Sequence, residues 1–334
     1  MKIYPVFISH AGCPHRCIFC SQDRSTSKVD ILDADTVASQ LDAMLPVRGN
    51  GEIAFYGGTF SLLPIRQQQL YLHVAGQFVA SGRASGIRIS TRPDALDKVR
   101  LERLQAGGVQ TIEIGCQSFS ETVLEQAGRG HSAKESIAAV RRCQDAGFSV
   151  GIQLMPGLPG GDVEEALNSL RLALNLKPAF LRIYPTIVIA GTALAELWNA
   201  GDYQPWSLDQ AVELCTDMLL LCRQRDIPVI RLGLQQDSVL ERNLLAGPFH
   251  PAFGQLVRSR IWRRALERAG NYGYPLTVHP DDLGDALGHR GENRVWLRNI
   301  CQDFSLLVDA AVSRGSLLSR NQNLTLEELT CFGG

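Results

Sequence analysis

Cys13, Cys17 and Cys20 fall in the run Gly12-Cys13-Pro14-His15-Arg16-Cys17-Ile18-Phe19-Cys20, a C-x3-C-x2-C pattern just after the apolar stretch Ile3 to Ile8. Thiolates are soft ligands, and three on one compact loop can hold three irons of a 4Fe-4S cluster. Electron-transfer clusters take four cysteines, so here one iron would stay open to a ligand. Two other chemistries use the same residues. A structural zinc would add His10 or His15 as a fourth ligand and close the site, as in a zinc-stabilised nucleic-acid-binding protein. An electron carrier would recruit a further cysteine such as Cys116. The six scattered cysteines, Cys116, Cys143, Cys215, Cys222, Cys301 and Cys331, read as small buried apolar residues.

Farther along, Tyr56-Gly57-Gly58-Thr59-Phe60 could bring backbone close to a polar ligand, because glycine has no Cβ to hold it off. Ser90 and Arg92 close the segment Arg88-Ile89-Ser90-Thr91-Arg92-Pro93-Asp94 and suit ribose or carboxylate. Gln117, Arg129 and Gln153 follow in Gly115-Cys116-Gln117-Ser118, Gly128-Arg129-Gly130-His131 and Gln153-Leu154-Met155-Pro156-Gly157. Arg182, Tyr184, Arg231 and Gln235 are candidates for a substrate cavity, with Arg suited to an anion. His250 reads first as a turn residue. The run Arg258 to Arg264, with Arg268, offers a basic helix face that RNA phosphates or plain water would suit.

The elements that must position these groups alternate. Apolar, β-branched runs at Ile3–Ile8, Glu52–Tyr56, Ile87–Thr91, Thr111–Gly115, Val150–Leu154 and Phe180–Tyr184 are separated by segments of helical period: 34–45, 64–80, 95–106, 132–146 and 163–174. Six βα units with right-handed crossovers predict an α/β fold, a partial (β/α)6 TIM-like barrel whose strand ends carry the site. Helix 208–225 and strand 229–232 continue the pattern, the strand beside the sixth. After Gln236 prolines and glycines interrupt it, so residues 1–235 are expected to form the core barrel and 236–334 a smaller α-rich C-terminal region packed on it.

The chain has 334 residues, 45% hydrophobic and 20% charged, with a net charge of -1. That composition folds, and offers no overall field to draw in nucleic acid or anionic membrane. No signal-peptide pattern or apolar run of membrane-spanning length is present, so a reducing cytoplasmic setting is expected.

The cysteine loop after strand one, with the aromatic Phe19 just before the third cysteine, resembles the signature of the radical S-adenosylmethionine (SAM) superfamily. Over about Tyr4 to Pro159 the segments above resemble the branch containing oxygen-independent coproporphyrinogen III oxidase and the radical domain of the Elongator catalytic subunit. The resemblance implies a 4Fe-4S cluster on Cys13, Cys17 and Cys20 and SAM on its open iron. It places Phe19 near the adenine, Gly57, Gly58 and Thr59 at the methionine amino group, and Gln117, Arg129 and Gln153 about the ribose and carboxylate, where the residue types of Ser90 and Arg92 would also suit. Thr59 stands where the family usually has an acid, which shifts the amino contact toward backbone carbonyls. The implied activity is reductive cleavage of SAM to a 5'-deoxyadenosyl radical that takes hydrogen from an unidentified substrate, with flavodoxin or ferredoxin as electron donor. No protein acid or base is required for the first step, so no catalytic side chain is assigned. The chain has no room for an acetyltransferase domain, and few residues precede the first strand, which speaks against acetyl transfer to transfer RNA and against porphyrinogen oxidation; a coproporphyrinogen oxidase-like or tRNA-modifying radical SAM reaction stays the alternative.

Overall fold

The computed structural model describes residues 2–8, 12–20, 32–236, 238–300, 304–320 and 322–330. His10, Cys301 and Cys331 lie outside the described residues. Two compact units are formed, one by residues 1–205, 227–230 and 237–247 and the other by 206–226, 231–236 and 248–334.

The first unit is built on β1 (Ile3–Phe7), α1 (Ala34–Met44), β2 (Glu52–Tyr56), α2 (Ile65–Ala80), β3 (Gly86–Thr91), α3 (Lys98–Ala106), β4 (Val109–Gln117), α4 (Glu121–Gln126), α5 (Ala133–Asp145), β5 (Ser149–Leu154), α6 (Val163–Asn175) and β6 (Phe180–Ile183). A short strand β7 (Val188–Ile189) and α7 (Ala193–Ala200) follow; after α8 (Leu208–Gln224) comes β8 (Val229–Leu232), then α9 (Ser238–Asn243) and β9 (Leu244–Ala246). The main sheet runs β1-β2-β3-β4-β5-β6-β8, with β1 to β6 paired in parallel. It is the curled half-barrel that the βα alternation predicts, with the strand at 229–232 beside the sixth.

Alternation along each strand separates two faces. Ile53, Phe55, Ile87, Ile89, Ile112, Ile114, Ile152, Leu181 and Ile183 form the fully buried apolar face, where Phe55 stacks on Tyr71 of α2 at 5.6 Å. The opposite parity carries Glu52, Tyr56, Arg88, Ser90, Thr111, Glu113, Gln153 and Arg182. Side-chain caps fix where the helices begin: Asp33, Asp97, Ser120, Ser132 and Asp162 each accept a first-turn backbone N–H.

The second unit holds α8, α10 (Phe253–Ala269), β10 (Leu276–Val278), α11 (Leu283–Leu287), α12 (Glu292–Ile300), β11 (Leu306–Val308), β12 (Ser316–Ser319), β13 (Gln322–Thr325) and α13 (Leu326–Thr330). Where the sequence suggested an α-rich tail, a four-stranded sheet β11-β10-β12-β13 is also present. Its strands are three or four residues long, too short for a period of two to show.

Candidate functional site

The cysteine loop leaves β1 and is pinned at three places. Ile18 donates its backbone N–H to the Ala127 carbonyl at 3.2 Å and accepts from Leu194 N at 2.9 Å. Phe19 packs against the apolar clusters around Leu194 and around Val123 and Leu158. The Cys13 sulfur lies 3.2 Å from the Thr59 hydroxyl, in the turn that follows β2. Two glycines permit this closeness. Gly12 has φ +74°, and a Cβ there would come within 2.5 Å of the Thr59 carbonyl; Gly130 has φ +67°, and a Cβ there would sit 2.5 Å from the His15 ring.

Cys17 is buried, Cys20 half-buried and Cys13 exposed. Cys17 is held as the thiolate, its pKa brought down to about 5: the Cys20 thiol donates to it, burial opposes, and the Arg129 and Arg92 guanidiniums add their charge. Cys20 is correspondingly pushed well up by that bond, by burial and by the Cys17 charge. Arg129 Nη1 lies 3.1 Å and Arg92 Nη1 3.9 Å from the Cys17 sulfur. Both arginines are 5% exposed. Asp94 receives Arg92 bidentately at 2.9 and 3.1 Å, and Arg92 Nη2 also donates to the Arg129 carbonyl. Arg129 Nη2 donates to the Gly115 carbonyl at 2.6 Å, and its Nε to His131 Nε2 at 3.3 Å. His131 can accept because burial, aided by Arg129, lowers its pKa to about 4 and keeps the ring neutral.

Among the described residues no three His, Cys, Asp or Glu side chains converge on one metal-ion point. A mononuclear zinc needs its donors within about 2.0–2.3 Å of a single centre, whereas the cysteines of a cubane each bind a separate iron. His15 Nε2 lies 3.8 Å from Asp94 Oδ2. Cys116 is fully buried, faces α5, and is pushed up to about 12 by burial. Cys143, on α5, is likewise fully buried. Three thiols on one loop, with Cys116 and Cys143 buried apart from it, are the donor set that a site-differentiated 4Fe-4S cluster would take.

Next to this loop, Gly57, with φ 90°, and Gly58 form the turn after β2, and Thr59 is buried behind it. Ser90 lies on the polar face of β3, half-buried. At the end of β4 the register slips between Gly115 and Gln117, a β-bulge, and Gln117 takes φ +69°. Bulges re-aim side chains beside functional sites. Here Gln117 Oε1 accepts from Gln153 Nε2 at 3.1 Å, so the two sequence candidates form one polar pair.

Below the strand ends, on the polar face, four charges neutralise one another. Arg88 Nε donates to Glu52 Oε2 at 2.8 Å and Nη1 to Glu113 Oε1 at 2.6 Å. Glu113 also receives the Tyr56 hydroxyl at 2.7 Å and Arg182 Nη1 at 2.7 Å, and Thr111 donates to Glu52 at 2.6 Å. The Arg182 guanidinium lies between the Tyr56 and Tyr184 rings, 4.7 and 5.8 Å from their centroids. Arg182 thus pairs with Glu113 through Nη1, and its buried Nε has no acceptor. Sequence reading did not find this quartet. The signal was there: a single ionisable residue inside each otherwise apolar run, as in Thr111-Ile112-Glu113-Ile114.

Arg231 and Gln235 belong to the second unit, where Arg231 Nε donates to the Gly233 carbonyl. His250 accepts from the Ala252 N–H at 3.0 Å, a turn contact. In the basic run of α10, Arg260 binds Asp209 and Glu213, and Arg264 binds Glu213 and Asp217, all on α8. Arg258 binds Asp285 and Arg263 stacks on Trp296 at 4.1 Å. The run is an ion-paired helix contact, so it does not supply the free phosphate-binding face that RNA would need.

A family model described as the Radical SAM superfamily matches residues 7–173, half of the chain, and one for the Radical_SAM C-terminal domain matches 178–263. The tRNA uridine(34) acetyltransferase of Methanocaldococcus jannaschii is 27% identical over 294 residues, covering 72% of this chain and 54% of that protein. Elongator complex protein 3 of Dictyostelium discoideum is 32% identical over 221 residues, covering 57% and 39%. The chain thus spans about half the length of the curated relatives it matches. Among solved structures, the archaeal Methanocaldococcus infernus Elp3 with an N-terminal deletion aligns with a TM-score of 0.63 and 21% identity over 80% of this chain and 64% of that one. Coproporphyrinogen III oxidase from Escherichia coli aligns with a TM-score of 0.52 and 18% identity over 67% and 52%. At such identities the structures show a shared fold.

Proposed function

The chain belongs to the radical SAM superfamily, and from that premise we propose that it is an enzyme holding a 4Fe-4S cluster on Cys13, Cys17 and Cys20, with SAM on the open iron. The observation that carries this reading is the set of three thiols gathered on one pinned loop, with Cys116 and Cys143 buried elsewhere. When bound and reduced, a cluster held by these three cysteines would supply the one electron that reductive cleavage of SAM to methionine and a hydrogen-abstracting 5'-deoxyadenosyl radical requires.

The chain's own part is to bind, orient and exclude water. Phe19, half-buried between two apolar clusters, offers a ring face for the adenine. Gly57, Gly58 and Thr59 offer backbone to the amino group, while Ser90 and the Gln117–Gln153 pair offer polar groups for the ribose and carboxylate. Flavodoxin or ferredoxin is the donor proposed. Transfer RNA is the substrate class to try first, because two relatives carry it or its modification in their names; a porphyrinogen is the comparison substrate. Among the described residues no helix is long and apolar enough to cross a membrane.

Anaerobic reconstitution with iron and sulfide tests the proposal. The expected protein is brown, needs only the three cysteines, and on reduction cleaves SAM to 5'-deoxyadenosine. A colourless, zinc-loaded protein inert to SAM would overturn it. Deuterium carried from a labelled candidate into 5'-deoxyadenosine identifies the substrate.

A further inference from the structure

The Gly57-Gly58 turn has no side chain of its own to hold it, and glycine gives up more backbone freedom on ordering than any other residue. Its neighbours are the fixed points. Downstream, Thr59 and Phe60 are buried, and the Phe60 and Phe55 ring centroids lie 5.1 Å apart. Upstream, Tyr56 is held from three strands. It pairs with Phe7 of β1, and its carbonyl accepts from Ile8 N at 2.8 Å. Its hydroxyl donates to Glu113 on β4 at 2.7 Å, and the Arg182 guanidinium from β6 lies 4.7 Å from its ring centroid. Burial and the Glu113 charge push the phenol well above its ordinary range, so it stays a donor.

We propose that Tyr56 is a positioning residue for the SAM amino group, fixing through its bond to Glu113 where the Gly57-Gly58 turn begins. The inference rests on the reading that this turn receives the amino group. A phenol at the end of β2, tied to a carboxylate two strands away, sets the direction in which the chain leaves the sheet. Backbone that meets a ligand already in place gives up less conformational freedom on binding. Without the bond, ordering of the turn would be drawn from SAM affinity.

The test is equilibrium dialysis on the reconstituted full-length wild type and Tyr56→Phe with three ligands. These are SAM, decarboxylated SAM, which keeps the amino group, and 5'-methylthioadenosine, which keeps the nucleoside and lacks the amino acid. The expected result in Tyr56→Phe is wild-type iron and sulfide content, unaltered binding of 5'-methylthioadenosine, and about fivefold weaker binding of the other two, the weight of one net hydrogen bond. Unaltered SAM affinity overturns the proposal. So does an equal loss for all three ligands, the mark of a merely structural role, or a loss for SAM that spares decarboxylated SAM, which would run through the carboxylate. If Tyr56→Phe does not fold, Arg182→Lys decides, since it keeps a positive charge beside Glu113 and withdraws the planar group from the Tyr56 ring. The same selective loss supports the proposal, and any other pattern overturns it. A wild-type protein that takes up no cluster, or binds SAM no more tightly than 5'-methylthioadenosine, is a different failure: it sinks the underlying reading and this inference with it.

Discussion

Replacing Glu113 by Gln keeps the shape of a side chain 2% exposed and removes its charge. The carboxylate receives Tyr56, Arg88 and Arg182 at 2.6–2.7 Å, and Glu52 supplies the only other negative charge to the group. Two guanidiniums would then share one carboxylate, and the new amide would turn its own N–H toward either Arg182 or the Tyr56–Arg88 pair of donors. Breaking a buried pair by removing one partner costs about 3–5 kcal/mol. Arg88 is as buried as Glu113, but the Arg182 side chain retains 14% exposure and can recover some hydration, so the loss should fall near the lower end, about 3 kcal/mol. Urea unfolding at pH 7, followed by circular dichroism beside the wild type, reads it. Arg182→Met in the Glu113→Gln background should regain part of the loss, because it removes the stranded charge. A loss under about 1 kcal/mol would show that these groups are effectively solvated, and would refute the description of the quartet as a neutralised, dry network.

Cys116→Ala should leave the iron content of the reconstituted protein unchanged, whereas alanine at Cys13, Cys17 or Cys20 should abolish it; a Cys116 requirement would point to a four-cysteine carrier. Gly130→Ala must adopt φ +67° with its Cβ against the His15 ring, so it should cost about 1–2 kcal/mol in strain and lower cluster loading; wild-type loading would show that this close approach is dispensable. His131 is neutral in the fold, with a pKa near 4, and protonates near 6.5 when unfolded. Its contribution to stability is therefore complete above pH 6.5 and is lost as the pH falls toward 4, by up to about 3 kcal/mol at 1.36 kcal/mol per unit. His131→Gln should flatten the pH–stability curve in that window, and an unchanged slope would contradict the assignment.

The half-barrel was legible because short apolar, β-branched runs recur between segments of helical period; Ile53, Ile87, Ile112 and Ile152 in those runs share one buried face. The cysteine loop was legible from spacing. The direction of a guanidinium is not a property of spacing: only the approach of residues 128–130 to residues 15–17 brings Arg129 Nη1 within 3.1 Å of the Cys17 sulfur. The α10 arginines likewise read as a basic face because their acids lie some 47–51 positions earlier, on α8. The short strands of the second unit left no periodic trace.

One wall of the cysteine pocket is contributed by residues that follow it by 112 positions, since Arg129 reaches back to Cys17 and Gly128 and Gly130 allow the contact. During synthesis the thiols therefore leave the ribosome long before their surroundings exist. Iron delivered to the nascent chain would meet three loosely tethered sulfurs, so maturation of the holoprotein is expected to await completion of β4 and its following loop. Arrested chains ending before Gly128 should take up iron less firmly than chains carried past Ser132.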